Sequence, residues 1–131
     1  MKNCTILNSQ ILSTIAQMGH KDTITISDCG LPIEDTTKRI DIALKKGVPT
    51  FLETLEVVLN ELEPEAAILA EEIKAFSPKL NDEILKILGN IRVDYVSHEE
   101  FKKLVGETKS CVRTGECTPY ANIILVSGPL F

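Results

Sequence analysis

The sequence predicts an α/β fold: a three-layer α/β/α sandwich around a central, mixed sheet. Short β-branched runs alternate with amphipathic helical stretches along the whole chain. Gly and Pro punctuate most of the junctions between them. The 131 residues and 44% apolar content suit one domain, residues 1–131, with a core large enough to cover both faces of a sheet.

Each element has its own signal. Ile11, Leu12, Ile15 and Met18 recur at helical spacing, with Asn8 or Ser9 to cap the start and Gly19 to end the helix. Thr23–Ser27 alternates Thr with Ile and reads as a strand, broken by Cys29-Gly30-Leu31-Pro32. Residues 39–44 alternate again, with Ile40, Ile42 and Leu44 on one side. Pro49 suits the first turn of a helix carrying Phe51, Leu52, Leu55, Val58, Leu59 and Leu62, which Pro64 ends. The segment EAAILAEEIKAF favours helix by composition. It is short, however, lies between two prolines and follows a helix, so a buried strand at 66–72 is the reading that completes a βαβ unit. Leu80, Ile84, Leu85, Ile87 and Leu88 mark the next helix, and residues 91–96 the next strand. Ser97-His98-Glu99-Glu100 is a capping box that opens a helix through Val105. Residues 122–127 form a last apolar strand, ending near Gly128-Pro129.

Composition excludes several classes of function. The net charge is −5 and the Lys and Arg residues are scattered singly or in pairs, which argues against nucleic acid as a partner. No apolar run approaches the roughly 20 residues that cross a bilayer. The first ten residues lack a signal peptide's apolar segment, so a cytoplasmic location is expected. Cys4, Cys29, Cys111 and Cys117 form no C-x-x-C and match no zinc module. Free thiols are expected, and neither histidine is an obvious partner for a catalytic cysteine. Phosphate-binding loops, G-x-S-x-G and H-E-x-x-H are missing.

What remains are polar groups beside structural punctuation. His20 follows a helix-ending glycine, where a positive imidazole is welcome for purely structural reasons. Asp28 closes a strand before a glycine, as either a turn aspartate or a ligand beyond a strand C-terminus. His98 opens a helix, where the dipole favours neutral imidazole and a hydroxyl partner, or simple exposure. Tyr120 and Asn122 flank the start of the last strand, Tyr120 as a buried aromatic or a contact residue. Arg113 and Glu116 read as a structural pair that holds their loop.

Taken together, LNSQILSTIAQMGHKDTITISDCGLPIE, RIDIALKKGVPTFLETLEVVLNEL, AAILAEEIK, VSHEEFK and VRTGECTPYANIIL resemble the D-ribose pyranase family, in register over residues 7–125. Cys29 stands where alanine is common, Glu34 where proline is common, and the Gly128-Pro129-Leu130-Phe131 ending is unusual. The resemblance implies a cytoplasmic isomerase that interconverts the pyranose and furanose forms of free D-ribose, with no metal and no organic cofactor. It implies a homodecamer of two pentameric rings with the sugar near subunit contacts. By position it implies that His20 is the proton donor and that Asp28, His98 and the Tyr120-Ala121-Asn122 run bind the sugar. A fucose-type mutarotase, a non-catalytic sugar-binding ring and a structural α/β domain are the alternatives.

The chemistry suits these residues. Opening a hemiacetal needs a proton delivered to the ring oxygen and one removed from the anomeric hydroxyl, and acid–base catalysis typically contributes about 10²–10⁴-fold. The separation of His20 from Asp28 sets a constraint. Eight extended steps at about 3.3 Å each span roughly 26 Å, too far for one ribose to touch both. Either the chain bends sharply at residues 19–22, or neighbouring copies share the pocket; the second is the expectation.

Overall fold

The structure is a computed structural model that describes residue 1 and residues 5–131; Cys4 lies outside the described residues. The first helix, α1, spans Ser9–Gln17, and Asn8 caps it by accepting from the Ile11 N–H at 2.9 Å. It ends at Gln17, two residues before Gly19, where Met18 turns extended and donates its N–H to the Ile15 carbonyl. Strand β1 is Thr23–Ser27 and β2 is Arg39–Asp41. The second strand is shorter than the alternation at 39–44 predicts, since the chain leaves the sheet and turns through Gly47, whose φ is +79°.

Helix α2 is Phe51–Leu59. Its cap is Thr50, whose hydroxyl accepts from the Glu53 N–H at 3.1 Å, so Pro49 stands before the helix and not in its first turn. The helix also ends early, at Asn60, and Pro64 opens the next strand instead of closing this helix. That strand, β3, is Pro64–Ala70, and the short helix α3 follows at Ile73–Phe76. The helix-favouring segment is thus strand first and helix second. Ala66, Ala67, Leu69 and Ala70 are buried within the sheet, and that burial outweighs intrinsic propensity. Helix α4 is Pro78–Leu88, β4 is Arg92–Val96 and α5 is His98–Val105. Ser97 caps α5 by accepting from the Glu100 N–H at 3.1 Å. Strand β5, Cys111–Arg113, has only three residues and gives no alternation long enough to read from sequence. The last strand, β6, is Ile123–Ser127.

The six strands form one mixed sheet in the order β2-β5-β1-β6-β3-β4. All neighbouring pairs are parallel except those of β6, which runs antiparallel to both β1 and β3. One face packs the larger core: Ile24 and Ile26 of β1, Leu69 of β3 and Leu125 of β6 meet Ile11 of α1, Phe51 and Leu55 of α2 and Ile84 of α4. On the other face, Cys111 and Ile124 meet Phe101 and Val105 of α5. The alternation of β1 follows from this. Its Ile residues enter the large core, while Thr25 and Ser27 are buried on the second face with hydrogen-bond partners. Thr25 donates to the Thr108 hydroxyl at 3.1 Å and Ser27 to the Asp28 carbonyl at 3.0 Å.

Strand direction determines which loops meet. The C-terminal ends of β1 to β5 point to one edge of the sheet, and reversed β6 begins at that same edge. Residues 28–31, 71–72, 97–98 and 114–122 therefore converge there. Residues 19–22, the start of β3 and the end of β6 lie at the opposite edge.

The turn after β5 is packed without slack. The Gly47 N–H donates to the Gly115 carbonyl at 2.6 Å and the Gly115 N–H to the Pro49 carbonyl at 3.0 Å. A Cβ on Gly115 would sit 2.6 Å from the Lys45 carbonyl oxygen and closer still to that of Val48. Gly115→Ala is expected to lower unfolding stability by about 3 kcal/mol. Gly19→Ala, whose Cβ would meet nothing nearer than 3.8 Å, is expected to change it by about 0.5 kcal/mol or less. Urea unfolding of the two variants in parallel checks the difference.

Candidate active site

A pocket of about 380 Å³ opens at the edge where the strand ends converge, within the usual size range for small-molecule sites. Asp28, Leu31, His98, Glu116, Thr118 and Tyr120 line it, with Cys29 and Cys117 at its side. Four of the residues predicted from sequence, Asp28, His98, Tyr120 and Asn122, are brought together here.

Asp28 is held from two directions. Its own N–H donates to Asn122 Oδ1 at 2.9 Å, and Asn122 Nδ2 donates back to Asp28 Oδ2 at 3.2 Å. The Gly30 N–H donates to the other carboxylate oxygen, Oδ1, at 2.9 Å, closing a turn. Burial pushes the Asp28 carboxyl above the usual aspartate value, and these hydrogen bonds only partly oppose it. Asn122 is itself buried, with its backbone N–H donating to the Tyr120 carbonyl at 2.9 Å. Tyr120 has a φ of +63°, an uncommon value for a bulky residue, and that conformation turns its ring toward His98. Ala121 is fully buried in the large core and does not line the pocket.

His98 is the first residue of α5, and its N–H donates to both carboxylate oxygens of Glu72 at 3.0 Å. The carboxylate thereby satisfies an N–H that the helix start leaves free, and its charge suits that end of the dipole. The imidazole meets Tyr120 edge-on, with centroids 5.0 Å apart and planes at 88°. It lies parallel to Phe101 at 6.5 Å. Nδ1 is buried without a hydrogen-bond partner among the described residues. Of the two neutral tautomers, the one with its proton on Nε2 avoids a buried, unpaired N–H. Glu72 was not singled out by sequence reasoning, since it lies 26 residues away from His98.

The loop 114–119 forms the remaining wall. Arg113 and Glu116 do not pair with each other as expected. Arg113 ends β5 and reaches Asp41 of neighbouring β2, with Nη1 at 3.0 and 3.2 Å from the carboxylate oxygens, while Nε donates to the Cys29 carbonyl at 3.1 Å. Glu116 turns the other way. Its Oε1 accepts from the Phe51 N–H at 3.0 Å, at the start of α2, and Oε2 accepts from Thr118 Oγ1 at 2.8 Å. Burial alone would raise its carboxyl, but the hydrogen bonds from Phe51 and Thr118 prevail and hold it below the usual glutamate value. The Cys29 and Cys117 sulfurs lie 3.5 Å apart as free thiols, and their mutual contact, with some burial, pushes the Cys29 thiol up. Cys111 is a buried thiol pushed up to about 11 by desolvation. Among the described residues, no group of three or more His, Cys, Asp or Glu is arranged to hold a metal ion.

His20 is not in this pocket. It precedes β1, whereas Asp28 follows it, and the intervening strand of about five residues holds them roughly 17 Å apart or more. At the far edge, His20 Nε2 lies 2.9 Å from Glu65 Oε2, and Lys21 pairs with the other oxygen. The chain does not bend back to close the gap.

These features can be set beside known proteins. The D-ribose pyranase of Clostridium novyi (strain NT) is 52% identical over 131 residues, covering 100% of both chains. That of Clostridium botulinum (strain Eklund 17B / Type B) is 50% identical over 131 residues, again with 100% of both covered. The solved structure of Bacillus subtilis RbsD complexed with D-ribose superposes with a TM-score of 0.97 at 44% identity, covering 100% of each chain. The sequence model of one family matches residues 1–130, and with it the pocket, the loop 114–119 and the far-edge histidine alike: the chain belongs to the RbsD / FucU transport protein family.

Proposed function

We propose that this chain is a D-ribose pyranase, an isomerase that interconverts the pyranose and furanose forms of free D-ribose. The observation that carries the reading is the oriented Asp28 carboxylate beside His98 and Tyr120 in a pocket of small-molecule size, on a fold alike over its full length to an RbsD complexed with D-ribose. An uncharged polyol needs hydrogen-bond acceptors and an apolar wall more than it needs a cationic clamp, and this pocket has both. Asp28 accepts from sugar hydroxyls. His98 offers a ring nitrogen, and the Tyr120 ring supplies a flat surface. The Asn122 side chain is already engaged with Asp28, so its part is to orient that carboxylate.

His20 supplies the proton to the ring oxygen in this reading, and it does so in the pocket of a neighbouring copy. Each chain then offers a sugar pocket at one edge of its sheet and an acid at the other. A head-to-tail ring of copies, with the decamer as its fuller form, satisfies both ends at once. The opened aldehyde recloses through a different hydroxyl. Nothing in the step needs a covalent nucleophile. A cytoplasmic location fits the free state of the three described thiols.

Two experiments test the reading. His20→Ala is expected to reduce the accelerated exchange of ribose ring forms, read by NMR, by about 10²-fold or more. Asp28→Asn is expected to be comparably poor. Co-assembled one to one, the two inactive variants should regain activity at about a quarter of the sites, because pairing at random joins an intact pocket to an intact histidine that often. A mixture no more active than its components rules out the shared pocket. The second test is pH. Ionised Asp28 accepts hydrogen bonds through both oxygens, and protonation turns one of them into a donor and weakens the other as an acceptor. Because its titration lies above the usual aspartate value, the KM for ribose should begin to rise at a higher pH than an ordinary aspartate would cause. KM measured between about pH 4 and 7 checks this, and the Asp28→Asn variant should show no such rise.

A further inference from the structure

The far edge of the sheet is more elaborately built than an exposed turn requires. The β3–β6 register shifts between Pro64 and Ala66, so Glu65 is the extra residue of a bulge. Bulges re-aim a side chain out of the pleat. Gly128 makes room for this one: its N–H donates to the Glu63 carbonyl at 2.8 Å, and a Cβ there would lie 3.2 Å from both that oxygen and Glu65 Cβ. The turn carrying His20 is equally fixed. Asp22 Oδ2 accepts from the Gly19 N–H at 2.8 Å, and Lys21, at a φ of +76°, donates its N–H to the Ser127 carbonyl at 2.9 Å. Between these two frames Glu65 Oε2 meets His20 Nε2 at 2.9 Å. Among the described residues Glu65 is the hydrogen-bond partner of that ring, and Lys21 occupies the other carboxylate oxygen.

Exposed ion pairs contribute roughly 0–1 kcal/mol to stability, which is a poor return for a bulge and a strained turn. We propose that Glu65 is a positioning residue for His20: its carboxylate accepts a hydrogen bond from Nε2–H, fixes the plane of the imidazole, and leaves Nδ1 as the nitrogen that faces the sugar. The inference rests on His20 being the proton donor. In the charged ring both nitrogens carry hydrogen. Nδ1–H passes its proton to the ring oxygen and the C1–O bond to that oxygen breaks; the anomeric hydroxyl gives its own proton to solvent water as its O–H electrons form the aldehyde C=O, and the imidazole is left as the Nε2–H tautomer that Glu65 already holds. Lys21 and His20 keep the Glu65 carboxyl below its usual value, so it remains an acceptor at neutral pH. Lys21 also keeps the carboxylate from turning its second oxygen to the ring.

The test separates this inference from the reading beneath it. Glu65→Ala is expected to lower kcat for ribose exchange about 10-fold with KM within about two-fold, since the pocket residues are untouched. Glu65→Gln, whose amide oxygen still accepts from Nε2–H, should recover most of that loss. ¹⁵N spectra of the wild-type His20 ring, taken near pH 8.5 where histidines are mostly neutral, should show the Nε2–H tautomer, with the preference weakened in Glu65→Ala. An Nδ1–H tautomer in the wild type overturns the proposal even if Glu65→Ala does not fold. Full kcat in Glu65→Ala, with activity lost in His20→Ala, overturns the role of Glu65 and leaves His20 as the acid. Full activity in His20→Ala removes both.

Discussion

The paired hydrogen bonds between Asp28 and Asn122 are the constraint on which the pocket depends. They join the outgoing end of β1 to the incoming end of β6 through one backbone N–H, one carboxylate and one buried amide. Each group would be costly to bury alone, and together they leave little unsatisfied. Once this joint is made, residues 29–31 must turn away over Gly30, and the chain before Asn122 must enter through the left-handed Tyr120. That turn sets the aromatic ring against His98. The same burial that makes the joint rigid also raises the Asp28 carboxyl, so orientation and reactivity have one cause.

Strand direction sets the second constraint. Five strands deliver their C-terminal ends to one edge, and the reversal of β6 adds its N-terminal approach to the same place. Three separate parts of the chain, residues 28–32, His98 and residues 116–120, therefore line one pocket. The reversal has a converse effect: whatever precedes β1 is carried to the other edge, together with the start of β3. A site using both ends of β1 cannot be assembled within one copy of this sheet.

Much of this was legible in the sequence wherever the signal is local. The Thr–Ile alternation of β1 and the Ser97 cap depend on periodicity or on neighbours a few residues apart, and the strand expected at 66–72 from its length and its place after a helix is found two residues earlier, at Pro64–Ala70. Asp28, His98 and Tyr120 stood out because they sit beside breaks in those patterns. What sequence did not reveal depends on distant partners. Glu72 meets His98 across 26 residues, Glu116 meets Phe51 across 65, and Glu65 meets His20 across 45. Arg113 and Glu116 are close in sequence and opposite in charge, yet β2 offers Arg113 a carboxylate in register, Asp41, and the turn at Gly115 points Glu116 elsewhere. The strand β5 escaped notice for a related reason: three residues between two parallel neighbours are made a strand by their partners, not by their own pattern.

The contact between Glu116 and α2 has one more consequence. The same carboxylate that lines the pocket satisfies a free N–H at the start of a helix whose first residue, Phe51, is wholly buried. Turnover and core integrity are therefore inherited together at that point. A substitution at Glu116 would therefore alter the pocket wall and the opening turn of α2 together.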